Sequence, residues 1–363
     1  MWRGFCIFLL LISIAQSYEW KYSLGFNFYL DNLEDSVPYW DTRTIYGVRL
    51  APEVGIAFDN YQSLMFGGYV LQNMGEQKFP TKANVSIYYS AIGEKFRGYF
   101  GIFPRTHSIA HYPLSFFRND FYFFNPNING VMFQYKPENI SDKVNGYAEF
   151  IFDWYGGNLS KRLDEFMVLA SSEFQFLRHY LYVGGNFLMY HFKNDEYLAK
   201  DGSNGDTYLL DRIYYNLYVG SSLQDLLPFM EKAYLQFGTL SSLERKRRLS
   251  TGLDPFYNGL GWQIDIGAQY KGFGIKNSYY FGKPQMKYYS QYGEDFYNGL
   301  PFYQATNYDR ADFYYEYKND ILTARLSIIL HFVNQIFANQ EMLTISLDTH
   351  KLFKKLKQHS QNF

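Results

Sequence analysis

Cysteine is all but missing from this chain: of 363 residues one is Cys, at position 6. That residue falls inside an N-terminal leader, so the folded part has no disulfide and no thiol for catalysis or metal binding. Long apolar runs are missing too. After residue 17 no stretch approaches the 18 or so uncharged apolar residues of a membrane helix, which excludes helical spans. Nor does either charge dominate, with 34 Lys and Arg against 35 Asp and Glu, so there is no electrostatic footprint for nucleic acid. Internal repeats, Pro/Ser linkers and composition breaks are likewise absent, which predicts a single domain.

What is present begins with MWRGFCIFLLLISIAQS. One basic residue, Arg3, precedes an apolar run from Phe5 to Ile12 and a small-x-small ending, Ala15-Gln16-Ser17. The pattern predicts a secretory signal peptide over residues 1–17, leaving 18–363 as one folded domain. Aromatic residues make up 21% of the chain, with 37 Tyr and 35 Phe, against 19% charged. Tyr has an apolar ring and a hydroxyl that seeks a wet partner, which suits a membrane–water boundary. Mean hydropathy is nevertheless slightly polar, at −0.31. A transmembrane barrel reconciles the two, because only its outward residues meet lipid.

Alternation of apolar and polar residues supports that reading. In GLGWQIDIGAQYKG, Leu260, Trp262, Ile264, Ile266 and Tyr270 alternate with Gln263, Asp265, Gln269 and Lys271. The same pattern sets Tyr46, Val48, Leu50 and Val54 against Arg49 and Glu53, Phe150, Phe152 and Trp154 against Glu149 and Asp153, and Leu326, Ile328 and Leu330 against Arg325 and Ser327. Neighbouring side chains on a strand point to opposite faces, so each run defines one greasy and one polar wall. Weaker runs bring the expected total to about sixteen strands of ~10 residues in an all-β, antiparallel transmembrane barrel. An even count puts both ends on the periplasmic side.

Signal peptide, cysteine-free mature chain and serial aromatic-rich alternation resemble the porin-like outer-membrane β-barrels of Gram-negative bacteria. The segments DTRTIYGVRLAPEVGIAFDN, YFGIFPR and GYAEFIFDWYG are similar to members from Bacteroidota. The resemblance implies residence in the cell outer membrane among lipid and lipopolysaccharide. It is architectural, and implies no catalytic motif.

The candidate pore-lining residues are Arg49, Glu53, Arg97, Glu149, Asp153, Asp265, Lys271 and Arg325, all expected on inward faces. Rows of both signs inside a barrel tune ion selectivity. The segment 104–127, dense in Phe and Tyr, is too apolar to stand in water. It is expected to fold inward as a constriction carrying Arg105, His107, His111, Arg118 and Asp120. Within it, His107 and Ser108 suggest an esterase, but adjacent strand residues face opposite ways and no acidic partner lies nearby. A metal site at His107 and His111 lacks a third ligand. The cluster from Glu244 to Arg248 reads as a loop or turn.

The function expected from sequence is therefore a non-enzymatic channel for passive diffusion of small hydrophilic solutes, without cofactor or metal, and either monomeric or a homotrimer. Two alternatives stand beside it: a barrel enzyme acting on lipid or lipopolysaccharide, and a closed barrel serving as adhesin or anchor.

Overall fold

The computed structural model describes residues 19–35, 39–137, 144–156, 165–177, 180–193, 208–224, 226–248 and 252–348. The leader and the tail beyond Asp348 lie outside the described residues. Nineteen hydrogen-bonded segments form one antiparallel sheet closed on itself. Three breaks of one to three residues interrupt otherwise continuous strands: Lys232–Thr239 runs on into Ser241–Arg248, and Gly252–Leu253 and Tyr257–Gly259 run on into Gly261–Tyr270. Counted as crossings of the wall, these make sixteen strands. The seam joins the first strand, Glu19–Asp35, to the last, Ile336–Asp348, with Gly25 opposite Asp348 and Asp35 opposite Ala338. Closure matters in lipid, where an open edge would leave backbone N–H and C=O groups without partners.

The two rims differ. At one, strands are joined by tight turns such as 58–61, 93–95, 271–272 and 319–321. At the other lie the long connections, above all 105–126 and 283–306. Outer-membrane barrels keep short turns in the periplasm, which places the long connections outside the cell.

The alternating runs face as their chemistry demands. Ile266 is 50% exposed on the outer wall, while Asp265 beside it is buried inside. Leu50, Val54, Phe150, Trp154, Leu326 and Ile328 are likewise exposed outward, forming the apolar band that meets acyl chains. The described residues thus form a closed antiparallel β-barrel with an apolar outer wall and a polar inner one.

One stretch departs from the expected layout. The residues from Glu244 to Arg248 belong to a strand, not to a loop. Glu244 turns inward to Tyr214, and Arg245 turns outward to Asp211. Charge had concealed a strand whose end rises above the apolar band.

The interior is not a wet tube throughout. The segments 105–126 and 283–306 fold down from the long-loop rim, each carrying a short helix, Asn119–Phe124 and Tyr289–Phe296. Phe116, Phe117, Phe121, Phe296, Tyr297 and Phe302 are buried in one cluster with inward wall residues such as Met167, Leu188 and Tyr214. Burying each such side chain is worth ~1.5–3 kcal/mol. The result is a dry plug in the long-loop half. Beneath it a cavity of about 1400 Å³ runs toward the short-turn rim.

Candidate functional site

The plug is fastened by a closed ring of four charges. Arg43 reaches Asp120 at 3.0 Å and Glu294 at 2.9 Å, and Arg118 reaches Asp120 at 2.8 Å and Glu294 at 2.8 Å. The ring ties the wall to both inward segments. Trp40 donates its indole N–H to Glu294 at 2.5 Å, and the Arg43 guanidinium lies 3.8 Å from the Trp40 ring centre. The segments also bond to each other through backbone, Arg118 N–H to Asn298 O at 2.8 Å and Leu300 N–H to Leu114 O at 2.7 Å.

Burial alone would raise the Glu294 carboxyl, but Arg118, Arg43 and the Trp40 N–H hold it below its ordinary value of 4.5. A depressed carboxyl contributes stability that is complete above its unfolded pKa and is lost as pH falls through the folded one. The ring should therefore hold from neutral pH down to about 4.5 and loosen only in stronger acid. Exposure of Trp40, which packs against Phe302 of the plug, followed by quenching of Trp fluorescence against pH, checks this. A loosening already at pH 6 would contradict it.

A second fastening is Arg212, whose side chain is fully buried. Its Nε, Nη1 and Nη2 have no hydrogen-bond partner among the described residues. Instead the guanidinium sits 5.0–5.1 Å from the ring centres of Tyr190, Tyr214, Phe296 and Tyr297. Tyr190 donates to Glu165, and Tyr214 and Tyr297 to Glu244, so carboxylates complete the cage. Desolvated cation–π contacts are worth about 2 kcal/mol. Removing a buried cation also strands the carboxylates, so Arg212→Met should cost about 3–5 kcal/mol. A fall in the temperature at which the folded band disappears in a heated-gel assay measures it.

The sequence-derived candidates fall into groups. Arg49, Asp265 and Arg325 line the cavity. Glu149 and Asp153 face inward but are covered by the folded loop: Glu149 accepts from Ser108 at 2.6 Å and from the Ile109 N–H at 2.8 Å, and Asp153 pairs with Arg105 at 2.5 Å. Glu53 faces inward and accepts from Ser86 and Tyr88. Arg97 shares the inward face of its strand with buried Tyr99. Lys271 does not line the lumen. It occupies a tight turn with φ of 47° and lies over Tyr270, on the outer side. A residue at the end of an alternating run had been carried one place too far. Of the loop candidates, Arg105, Arg118 and Asp120 are fastenings, and His111 lines the cavity.

The esterase suggestion at His107 and Ser108 is not assembled. Ser108 donates to Glu149, whereas His107 stacks on Tyr99 at 4.7 Å and meets the Tyr88 hydroxyl at 3.2 Å. The two side chains serve different partners.

A different constellation emerges on the outer wall. Directly paired residues of successive strands form a row just below the long-loop rim: Trp154 opposite Phe166, Phe166 opposite His191, His191 opposite Asp211, and Asp211 opposite Arg245. All lie on the outward phase of their strands, as Leu217, 60% exposed, shows for the strand of Asp211. His191 Nδ1 is 3.3 Å from Asp211 Oδ1, and Arg245 Nε is 3.0 Å from Asp211 Oδ2. Phe166 stacks on the imidazole at 5.1 Å, and the Arg245 guanidinium lies 4.2 Å from the Phe256 ring centre. Charges on a lipid-facing wall are costly and tend to mark function. A carboxylate on one imidazole nitrogen is also how a general base is oriented.

The model of the lipid A 3'-O-deacylase-type family matches residues 12–356. The chain belongs to that family. The expectation of a barrel with no enzymatic character is thereby overturned, since the family is named for a lipid-modifying activity. Among curated proteins none matches in sequence. Similar solved structures include Pseudomonas aeruginosa OccD3, at 10% identity and TM-score 0.42 over 91% of both chains. The anion-selective porin from Comamonas acidovorans has 10% identity and TM-score 0.47, covering 91% of this chain and 99% of that one. Salmonella typhi OmpF, in complex with daunomycin, has 11% identity and TM-score 0.47, covering 92% and 98%.

Proposed function

We propose that this protein is an outer-membrane ester hydrolase that removes an acyl chain from lipid A in the outer leaflet. The observation that carries the reading is the His191–Asp211–Arg245 row, on the outward phase of its strands just below the long-loop rim, where His191 and Asp211 are 7% and 8% exposed. In this scheme His191, oriented by Asp211, takes a proton from water while the water oxygen attacks the ester carbonyl carbon. The tetrahedral intermediate then expels the sugar oxygen, which recovers the proton from His191, giving a free hydroxyl and a fatty acid. Water serves as the nucleophile in this scheme. Arg245 supplies positive charge to a lipid phosphate or to the developing oxyanion.

The test is incubation of the refolded protein in detergent with acylated lipid A, followed by mass spectrometry. A mass loss equal to one ester-linked acyl chain is expected. Intact lipid A from a folded sample would sink the reading. The channel reading draws support from the cavity beneath the plug, but solute passage would require the plug to move.

A further inference from the structure

The cavity itself suggests a second site, on the opposite side of the membrane from the lipid-facing row and independent of it. Closed above by the segment 105–126, it is lined toward the other end by Ser222, Gln224, Lys232 and Ser346, near the short-turn rim. It is therefore a blind pocket facing the periplasm rather than a passage. Its volume of about 1400 Å³ exceeds the ~300–1,000 Å³ of ordinary ligand pockets, so a sugar-sized molecule fits with water to spare.

Its cations are unequally partnered. Arg49, Arg105, Lys232, Lys276, Arg310 and Arg325 line it, with the carboxylates Glu173, Asp265 and Asp312, and of these Arg105 pairs with Asp153 and Lys232 with Glu316. Three of the cations stand together on one wall. Lys276 is directly opposite Asp312 in the sheet, and Ser278 opposite Arg310. Arg310 and Arg325 share a single oxygen of Asp312, at 3.2 and 2.9 Å. Lys276, with no hydrogen bond or ion pair to any described residue, points its ammonium into the cavity. The nearby Asp265 is already occupied by Gln263 and Ser278. Arg325 also reaches Glu316 at 3.8 Å, so the carboxylates of this wall are engaged by Arg310, Arg325 and neighbouring polar groups, and Lys276 is its cation without a partner among the described residues. The remainder of the lining offers amides and phenols, among them Asn186, Asn216, Tyr182 and Tyr234, which suit hydroxyl groups.

We propose that this pocket binds an anionic, polyhydroxylated solute from the periplasm, such as a sugar bearing a phosphate or carboxylate. Lys276, Arg310 and Arg325 hold the charged group. Asn and Tyr side chains of the facing wall hold the hydroxyls.

Calorimetric titration of the refolded protein in neutral detergent tests this, with glucose 6-phosphate, glucuronate, inorganic phosphate and glucose as probes. Glucose 6-phosphate or glucuronate should bind at least tenfold more tightly than glucose and inorganic phosphate. Raising the salt should weaken that binding, and Lys276→Met should reduce it tenfold or more, while Lys276→Arg retains most of it. His191→Ala should leave it unchanged, separating this site from the hydrolase reading. Equal affinity for glucose, tightest binding by inorganic phosphate, indifference to Lys276→Met in a variant that still shows a folded band, or no heat with any probe at millimolar concentration would each overturn the proposal.

Discussion

Glu294→Lys is expected to turn an electrically silent barrel into a conducting one. In the native protein Glu294 accepts from Arg43, Arg118 and Trp40, drawing the segment 283–306 to the wall and to the segment 105–126. Lysine there replaces two attractions by two repulsions. A pair of unit charges at about 4 Å is worth ~4 kcal/mol at an effective dielectric of 20. Glu294 is about one-third exposed, so the figure must be discounted for screening. A net shift of about 3 kcal/mol against the closed arrangement still raises the open population roughly a hundredfold. Planar-bilayer recording should show discrete steps from the variant and none or very few from the native protein. The variant should keep its folded band, because the wall does not depend on the ring. A folded variant that stays silent would mean that the aromatic packing alone holds the plug.

His191→Ala should reduce lipid A hydrolysis by about 10²- to 10⁴-fold, the usual contribution of a positioned general base. Asp211→Asn keeps the shape but removes the charge that orients the imidazole, so a loss of similar order is expected in kcat with KM little changed. Arg245→Ala should act differently. Its guanidinium supports Asp211 and offers charge to the lipid headgroup, so both kcat and KM should suffer. Full activity in His191→Ala would remove the row from the chemistry.

How much of this was legible in the sequence follows from distance along the chain. Strand alternation is a local signal of period two, and lipid on one side enforces it, so the stretch from Leu260 to Tyr270 revealed its orientation by itself. The inward folding of 105–126 was legible for a similar reason, because so many Phe and Tyr have no other refuge. The charge ring and the Arg212 cage were not. Arg43, Arg118 and Glu294 are brought together only by closure of the wall, and Arg212 meets Phe296 and Tyr297 only once the second segment is inside. The outer row did leave a trace. His191, Asp211 and Arg245 occupy the lipid-facing phase of their strands, where an apolar residue is the rule, and each is a polar exception at a strand end. Their neighbours are 20 and 34 residues apart, so the coincidence needs the register to be seen.

The seam between the first and last strands carries a consequence for biogenesis. Residues near 25 find their partners near 348, so the hoop stays open until the residues around 348 have been delivered. Both inner segments are encoded upstream of the final two strands, Leu322–Val333 and Ile336–Asp348. They can therefore be stowed before the last stave is set, and a chain truncated before residue 322 would present its contents through an unsealed flank.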